Sequence, residues 1–186
     1  QTIIFNNKPR IISNYSIVRE KEGNGNFKDY FHYILKDDLF GEKSFEHAEQ
    51  KMLQFAIEHS IKNANLKINE IDLIIGGDLL NQIISASFTA RHFDRPFLGV
   101  YGACSTMAES LAIGSAFVNG GYFNNVVCAT GTHFSTAERQ YRFPLELGNQ
   151  RPPTSQWTVT GAGSSVLSLN GTGHKITKAT LGKVTD

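Results

Sequence analysis

The sequence predicts an α/β fold with parallel strand pairing. Amphipathic helical stretches alternate with short apolar strands from Ser44 to Thr130. The strands Asp72–Leu73–Ile74–Ile75–Gly76 and Val126–Val127–Cys128–Ala129 are continuous apolar runs, as strands covered on both faces are. Pro96 and the pair Gly120–Gly121 punctuate the alternation where one element gives way to the next.

In chain order, residues 3–5 and 11–18 read as short strands around the turn residues Asn6, Asn7 and Pro9. Residues 22–26 read as a loop. Residues 29–41 carry Tyr30, Phe31, Tyr33 and Phe40, so residues 28–43 are expected to pack down as a surface or lid insertion. Ser44 is placed to cap a helix running to about Asn63, with Phe45, Ala48, Met52, Phe55, Ala56 and His59 on one face and Asn65 as its stop. After the strand at 72–76, residues 79–92 read as a second amphipathic helix with Leu80, Ile83, Ile84, Ser87 and Phe88 inward. Residues 97–101 form the next strand. Residues 103–119 form a third helix, rich in Ala, Gly and Ser and so suited to close packing. Residues 135–141 read as a helical turn and 144–155 as a loop. Residues 164–169 and 175–181 read as strands of an antiparallel hairpin across Asn170–Gly171–Thr172–Gly173.

Composition narrows the function classes. The chain has 186 residues, 18 Lys+Arg against 17 Asp+Glu, a net charge of +1 and 40% hydrophobic residues. This is the profile of a globular domain with a real core. Near-zero net charge argues against a nucleic-acid binder, which carries a clustered basic excess. Two cysteines make no disulfide framework. No apolar run approaches the roughly 20 residues that span a membrane. The six histidines make no metal-ligand spacing, and no metal or cofactor is expected. Gly161–Ala162–Gly163–Ser164 lacks the helix that completes a phosphate loop.

The sharpest local feature is Val100–Tyr101–Gly102–Ala103–Cys104–Ser105–Thr106. A strand ends, a Gly-Ala turn follows, and Cys104 opens a buried helix, where N–H groups and the helix dipole favour a thiolate. The layout is like a nucleophile elbow, with Thr106 in place of its second glycine. The alternative is that small residues simply let helix and strand pack, with Cys104 as a small hydrophobe. Cys128, inside an apolar strand, reads as core. His133 follows a strand C-terminus, where α/β sheets place ligands. Arg139, Arg142 and Arg151 are suited either to clamping carboxylates or to a solvated loop.

The strand–Gly102–Ala103–Cys104–helix segment and Val126 through His133 together resemble the thiolase-like condensing enzymes, closest to the ketoacyl-synthase III branch. A more specific set is Gly41–Glu42–Lys43–Ser44, Gly77–Asp78–Leu79–Leu80–Asn81–Gln82, Gly102–Ala103–Cys104–Ser105–Thr106 and Phe134 through Pro144. It is similar to the stage V sporulation protein AD family of spore-forming Firmicutes over nearly all 186 residues. The resemblance implies the N-terminal half of a thiolase-like fold, residues 1–186. That half is a mixed, mostly parallel five-stranded sheet with helices on both faces and a pocket-side loop region at 132–157. The start at Gln1 rather than Met fits a chain that is not whole, with the C-terminal half absent. Cys104 matches the condensing nucleophile, and residues 125–130 are expected to form a homodimer contact.

The sporulation family implies binding of dipicolinic acid (pyridine-2,6-dicarboxylate), its uptake during sporulation and its release at germination. It also implies partners from the same operon, some membrane-embedded, and a place at the inner spore membrane. A flat aromatic dianion needs cations or N–H donors for its carboxylates and an aromatic face for its ring. The candidates are Cys104, Ser105, Thr106, His133, Arg139, Arg142, Phe143 and Trp157. Three readings stand: a non-enzymatic binding protein, an acyltransferase using Cys104, whose acyl channel Thr106 is expected to narrow, and a structural assembly subunit that meets partners through the aromatic loop Asp29 to Phe40.

Overall fold

The computed structural model describes residues 1–141 and 158–183. Its strands are β1 (Thr2–Ile4), β2 (Arg10–Val18), β3 (Tyr33–Ile34), β4 (Leu73–Asp78), β5 (Phe97–Gly99), β6 (Asn125–Thr132), β7 (Gly161–Ser168), β8 (His174–Lys175) and β9 (Lys178–Thr180). Its helices are α1 (Glu20–Gly23), α2 (Phe45–Asn63), α3 (Ile84–Phe93), α4 (Thr106–Asn119) and α5 (Phe134–Tyr141).

The main sheet has the order β3-β2-β7-β6-β4-β5, with β8 also on β2. β4 runs parallel to both β5 and β6. β7 is antiparallel to its neighbours β2 and β6. The five long-range strands β2, β7, β6, β4 and β5 are thus the expected mixed sheet, and β3 and β8 extend it. Strand alternation sends side chains to opposite faces. Ile74, Val127, Ala129 and Val166 pack on one face with Met52, Leu53, Ala56 and Ile57 of α2 and Ala86 and Phe93 of α3. Leu73, Ile75, Val126, Cys128 and Leu167 pack on the other with α4. Helices therefore cover both faces, which is why β4 is buried at every position.

Local rules account for most element ends. Ser44 Oγ accepts the His47 N–H at 3.2 Å and caps α2. Asn65, just past its end, adopts φ +56°, a conformation asparagine tolerates. Gly114 lets α4 approach the sheet: a Cβ there would lie 2.9 Å from Cys128 Sγ and 3.0 Å from Leu167 Cδ1. Cys128 is core, and burial pushes its thiol far above the ordinary range.

Four expectations are corrected. The second helix begins at Ile84, after a turn at Asn81–Ile83 in which Gln82 and Ile83 are left-handed. This kink resets the helical phase, so Ser85, Ala86, Thr89, Ala90 and Phe93 face inward, while Ile84 and Phe88 are exposed. The third helix begins at Thr106, and Ala103–Ser105 is a separate 3-10 turn. Residues 161–181 make no hairpin: β7 pairs with β2 and β6, β8 with β2 and β9 with β1. The glycine turn at 170–173 redirects the chain to a different partner. β6 is bonded on both sides, by β4 and β7. Residues 125–130 are therefore bonded on both sides, and among the described residues β5 ends the sheet path beyond β4. Residues 20–23, half expected as loop, form the single turn α1.

In the segment 28–43, Tyr33 and Phe40 pack on Phe55 of α2, while Tyr30 stands out in solvent beside Phe27, also exposed and just before the segment. Among the described residues no helix is long and apolar enough to cross a membrane.

Candidate functional site

The site forms where β4, β5 and β6 end. Val100 N–H donates to Gly76 O at 3.0 Å, closing β5 against β4. The chain then turns through Ala103, at φ +49°. Thr106 holds this turn. Its Oγ1 donates to Ala103 O at 2.9 Å and accepts the Gly102 N–H at 3.1 Å. Ser105 Oγ donates back to Gly102 O at 2.7 Å. The result presents Cys104 at the surface of a cavity of about 790 Å³, within the usual range for small-molecule sites.

The cavity wall joins Leu79, Ala103, Cys104 and Met107 to residues 130–132 of β6 and 161–163 of β7. Ser16, Val18, Phe31, Thr158 and Val159 complete it. None of these is charged. Among the described lining residues Cys104 is the one titratable group. Thr130 Oγ1 is bonded to Gly77 O. Thr132, which lines the cavity, has its Oγ1 buried with no hydrogen-bond partner among the described residues. A Cβ at Gly163 would meet nothing within 4 Å, which marks it as open floor.

The structure separates the sequence candidates. Cys104 lines the cavity. Ser105 and Thr106 do not; they bond the turn that carries it. Thr106 is buried under the turn, so it supports Cys104 rather than narrowing a channel. His133 is fully buried and off the cavity. One residue past the end of β6, it turns toward α2 and stacks on Phe45 at 4.7 Å. Its Nδ1 accepts the Ser135 N–H at 3.2 Å, leaving Nε2 to donate to Asp38 O at 2.8 Å. That is a neutral imidazole, and burial lowers its pKa accordingly. Arg139 lies on α5, with its side chain outside the described residues. Arg142, Phe143 and Trp157, and most of the 132–157 region, lie outside them too.

Sequence reading missed two buried polar groups beside the site. Arg19 is buried after β2, with Nε 2.9 Å from Glu22 Oε2 and its guanidinium 4.3 Å from the Phe134 ring centre. Glu49 is buried on α2, and desolvation pushes its carboxyl up to about 8. A charged residue on an otherwise inward helical position is the one signal that pointed to Glu49. Nothing local pointed to Arg19.

A strand–turn–cysteine–helix unit at the C-terminal ends of a mixed β2-β7-β6-β4-β5 sheet is the layout of a thiolase-like fold. Solved structures share this fold. 3-Oxoacyl-[acyl-carrier-protein] synthase III from Aquifex aeolicus VF5 matches with TM-score 0.57 at 16% identity, covering 86% of this chain and 53% of that one. Xanthomonas campestris OleA H285N matches with TM-score 0.60 at 15% identity, covering 89% and 57%. The priming β-ketosynthase of the R1128 polyketide pathway matches with TM-score 0.57 at 16% identity, covering 89% and 51%.

The family is more specific. Residues 1–186 match the family model of Stage V sporulation protein AD (SpoVAD). The chain is 40% identical over 186 residues to Stage V sporulation protein AD of Bacillus subtilis (strain 168), covering 100% of this chain and 55% of that protein. The chain belongs to the Stage V sporulation protein AD family and spans about half the length of this curated relative.

Proposed function

We propose that the chain is the N-terminal half of a non-enzymatic spore protein that binds dipicolinic acid, serving its uptake during sporulation and its release at germination. One observation carries the binding reading: a cavity of about 790 Å³, walled largely by small and apolar side chains, opens beside Cys104 in a chain of the Stage V sporulation protein AD family. The apolar wall of Val18, Phe31, Leu79 and Met107 suits a flat ring, and the Thr132 hydroxyl suits a carboxylate. Cations for the two carboxylates must come from outside this neutral lining; the sequence offers Arg139 and Arg142.

The acyltransferase reading has its own support, since an exposed cysteine opening on a largely apolar cavity also suits a thioester. Titration calorimetry of the intact protein with dipicolinate, phthalate and acetyl-CoA, paired with intact mass measurement, separates the two. Heat is expected with dipicolinate and less with phthalate, with no mass gain from acetyl-CoA. A Cys104 acyl adduct without dipicolinate heat would overturn the binding reading.

The partners in this reading are other proteins of the sporulation operon, some membrane-embedded, with the chain peripheral to the inner spore membrane. A homodimer in this reading meets through β5, the end strand of the sheet among the described residues, where Leu98 is exposed, and through the exposed Ile84 and Phe88 of α3. Light scattering of the intact protein is expected to show a dimer, and Phe88→Glu with Leu98→Glu a monomer. A double variant that remains dimeric would remove this surface from the proposal.

A further inference from the structure

Four elements bring polar side chains to one buried point one residue from the cavity wall. Asp78 ends β4, immediately before the wall residue Leu79. Its carboxylate accepts backbone N–H groups of Leu80 (2.7 Å), Ser85 and Ala86. Those bonds span the turn in which Gln82 and Ile83 are left-handed. A β-branched residue such as Ile83 holds that conformation only under restraint. Asp78 is therefore the clamp on residues 79–86.

Glu49 of α2 faces the same point. Thr136 of α5 donates to Glu49 Oε2 at 2.7 Å, and Ser85 of α3 brings its hydroxyl alongside. Among the described residues, Glu49 Oε1 and Ser85 Oγ are both buried without a well-formed hydrogen bond. The charged groups acting on Glu49 are Asp78 from β4 and Glu46 from its own helix, both negative. Burial raises both carboxyls, but Asp78 has three N–H donors that oppose the shift. Glu49 has the Thr136 hydroxyl, the Ser85 hydroxyl alongside and, among the described residues, no well-formed partner for Oε1, which suits a protonated carboxyl.

We propose that Glu49 and Asp78 form a proton-controlled latch on the cavity wall. With Glu49 protonated, Asp78 keeps its three N–H bonds and residues 79–86 stay clamped. Ionised Glu49 puts a second buried negative charge beside Asp78, and the strained turn is released with the Leu79 wall. Protons and stability follow one sign. The folded chain holds this proton up to about pH 8, whereas a free glutamate releases it near 4.5. Between those values the folded state binds more protons, so this group's contribution to stability is lost as pH rises.

The test is a pH titration of amide resonances, from about 6.5 to about 9.5, on the full chain carrying Cys104→Ser so that no cavity thiol titrates. The Leu80, Ser85 and Ala86 amides are expected to shift together with a midpoint near 8, and to stay flat when Glu49→Gln is added. No shift without Glu49→Gln, or the same shift with it, overturns the latch. Should Glu49→Gln fail to fold, carboxyl-labelled glutamate in the otherwise unchanged chain decides. One resonance titrating above pH 7 supports the latch, and all glutamates titrating in the ordinary range near 4.3 overturn it.

Discussion

Gly77→Ala is expected to lower stability by about 3 kcal/mol or more and to dismantle the Cys104 turn. A Cβ at position 77 would lie far inside van der Waals contact distance of Val100 O and 3.1 Å from Thr106 Cγ2. Neither neighbour is free to retreat. Val100 is tied to Gly76 O through its N–H, and Thr106 is buried and bonded on both sides of the cysteine turn. Relief therefore requires β5 to leave β4 or the turn to open. Gly163→Ala is the matched control. Its Cβ enters open cavity floor, so stability is expected to change by no more than about 0.5 kcal/mol. Urea unfolding followed by circular dichroism compares the two, and a Gly77→Ala midpoint equal to wild type would refute the packing argument.

Arg19→Ala is expected to cost about 3–5 kcal/mol. Arg19 is 4% exposed and joins several segments near the cavity. Its backbone N–H donates to Thr160 O at 3.2 Å, its Nε meets Glu22, and its guanidinium lies over Phe134 of α5. Glu22 in turn accepts the Thr160 N–H at 3.4 Å. Truncating the arginine leaves the Glu22 carboxylate, its side chain 13% exposed, without its main counter-charge, and adds a cavity. Arg19→Met restores most of the volume but not the charge, so most of the loss is expected to remain. Adding Glu22→Gln removes the stranded charge, and the double variant is expected to recover at least half of the loss. If Arg19→Met alone were as stable as wild type, the pair would be contributing packing and nothing electrostatic.

These two positions show what local pattern reveals and what it does not. Gly77 directly follows the run 72–76, whose apolar continuity announces a strand covered on both faces, and the structure extends that covered strand through it. Ser44 announces the start of α2 because a hydroxyl before a helical period satisfies an orphan N–H in the same short segment. Arg19 announces nothing, because its surroundings include Thr160 and Phe134, more than a hundred residues away in sequence. The inward face of α3 departs from a single helical period for a related reason. The left-handed residues Gln82 and Ile83 reset it, so Ile84 and Phe88 turn outward while Leu80 and Ile83 still meet the core as expected. Cys104 was legible as a strand–turn–helix cysteine, yet the threonine hydroxyl across the cavity from another strand was not.

The sequence by itself determined the order and type of the main elements, the apolar strands β4 and β6, the capped start of α2 and the place of Cys104. Each depends on residues within a turn or two of one another. Only the tertiary structure decided that β7 inserts antiparallel between β2 and β6, which bonds β6 on both sides and, among the described residues, leaves β5 to end the sheet path beyond β4. It alone turned His133 into the core, and it brought Glu49, Asp78, Ser85 and Thr136 to one buried point. Those outcomes depend on which distant segments share a face of the sheet, and burial and charge at such a point are properties of the assembled neighbours rather than of any stretch of chain.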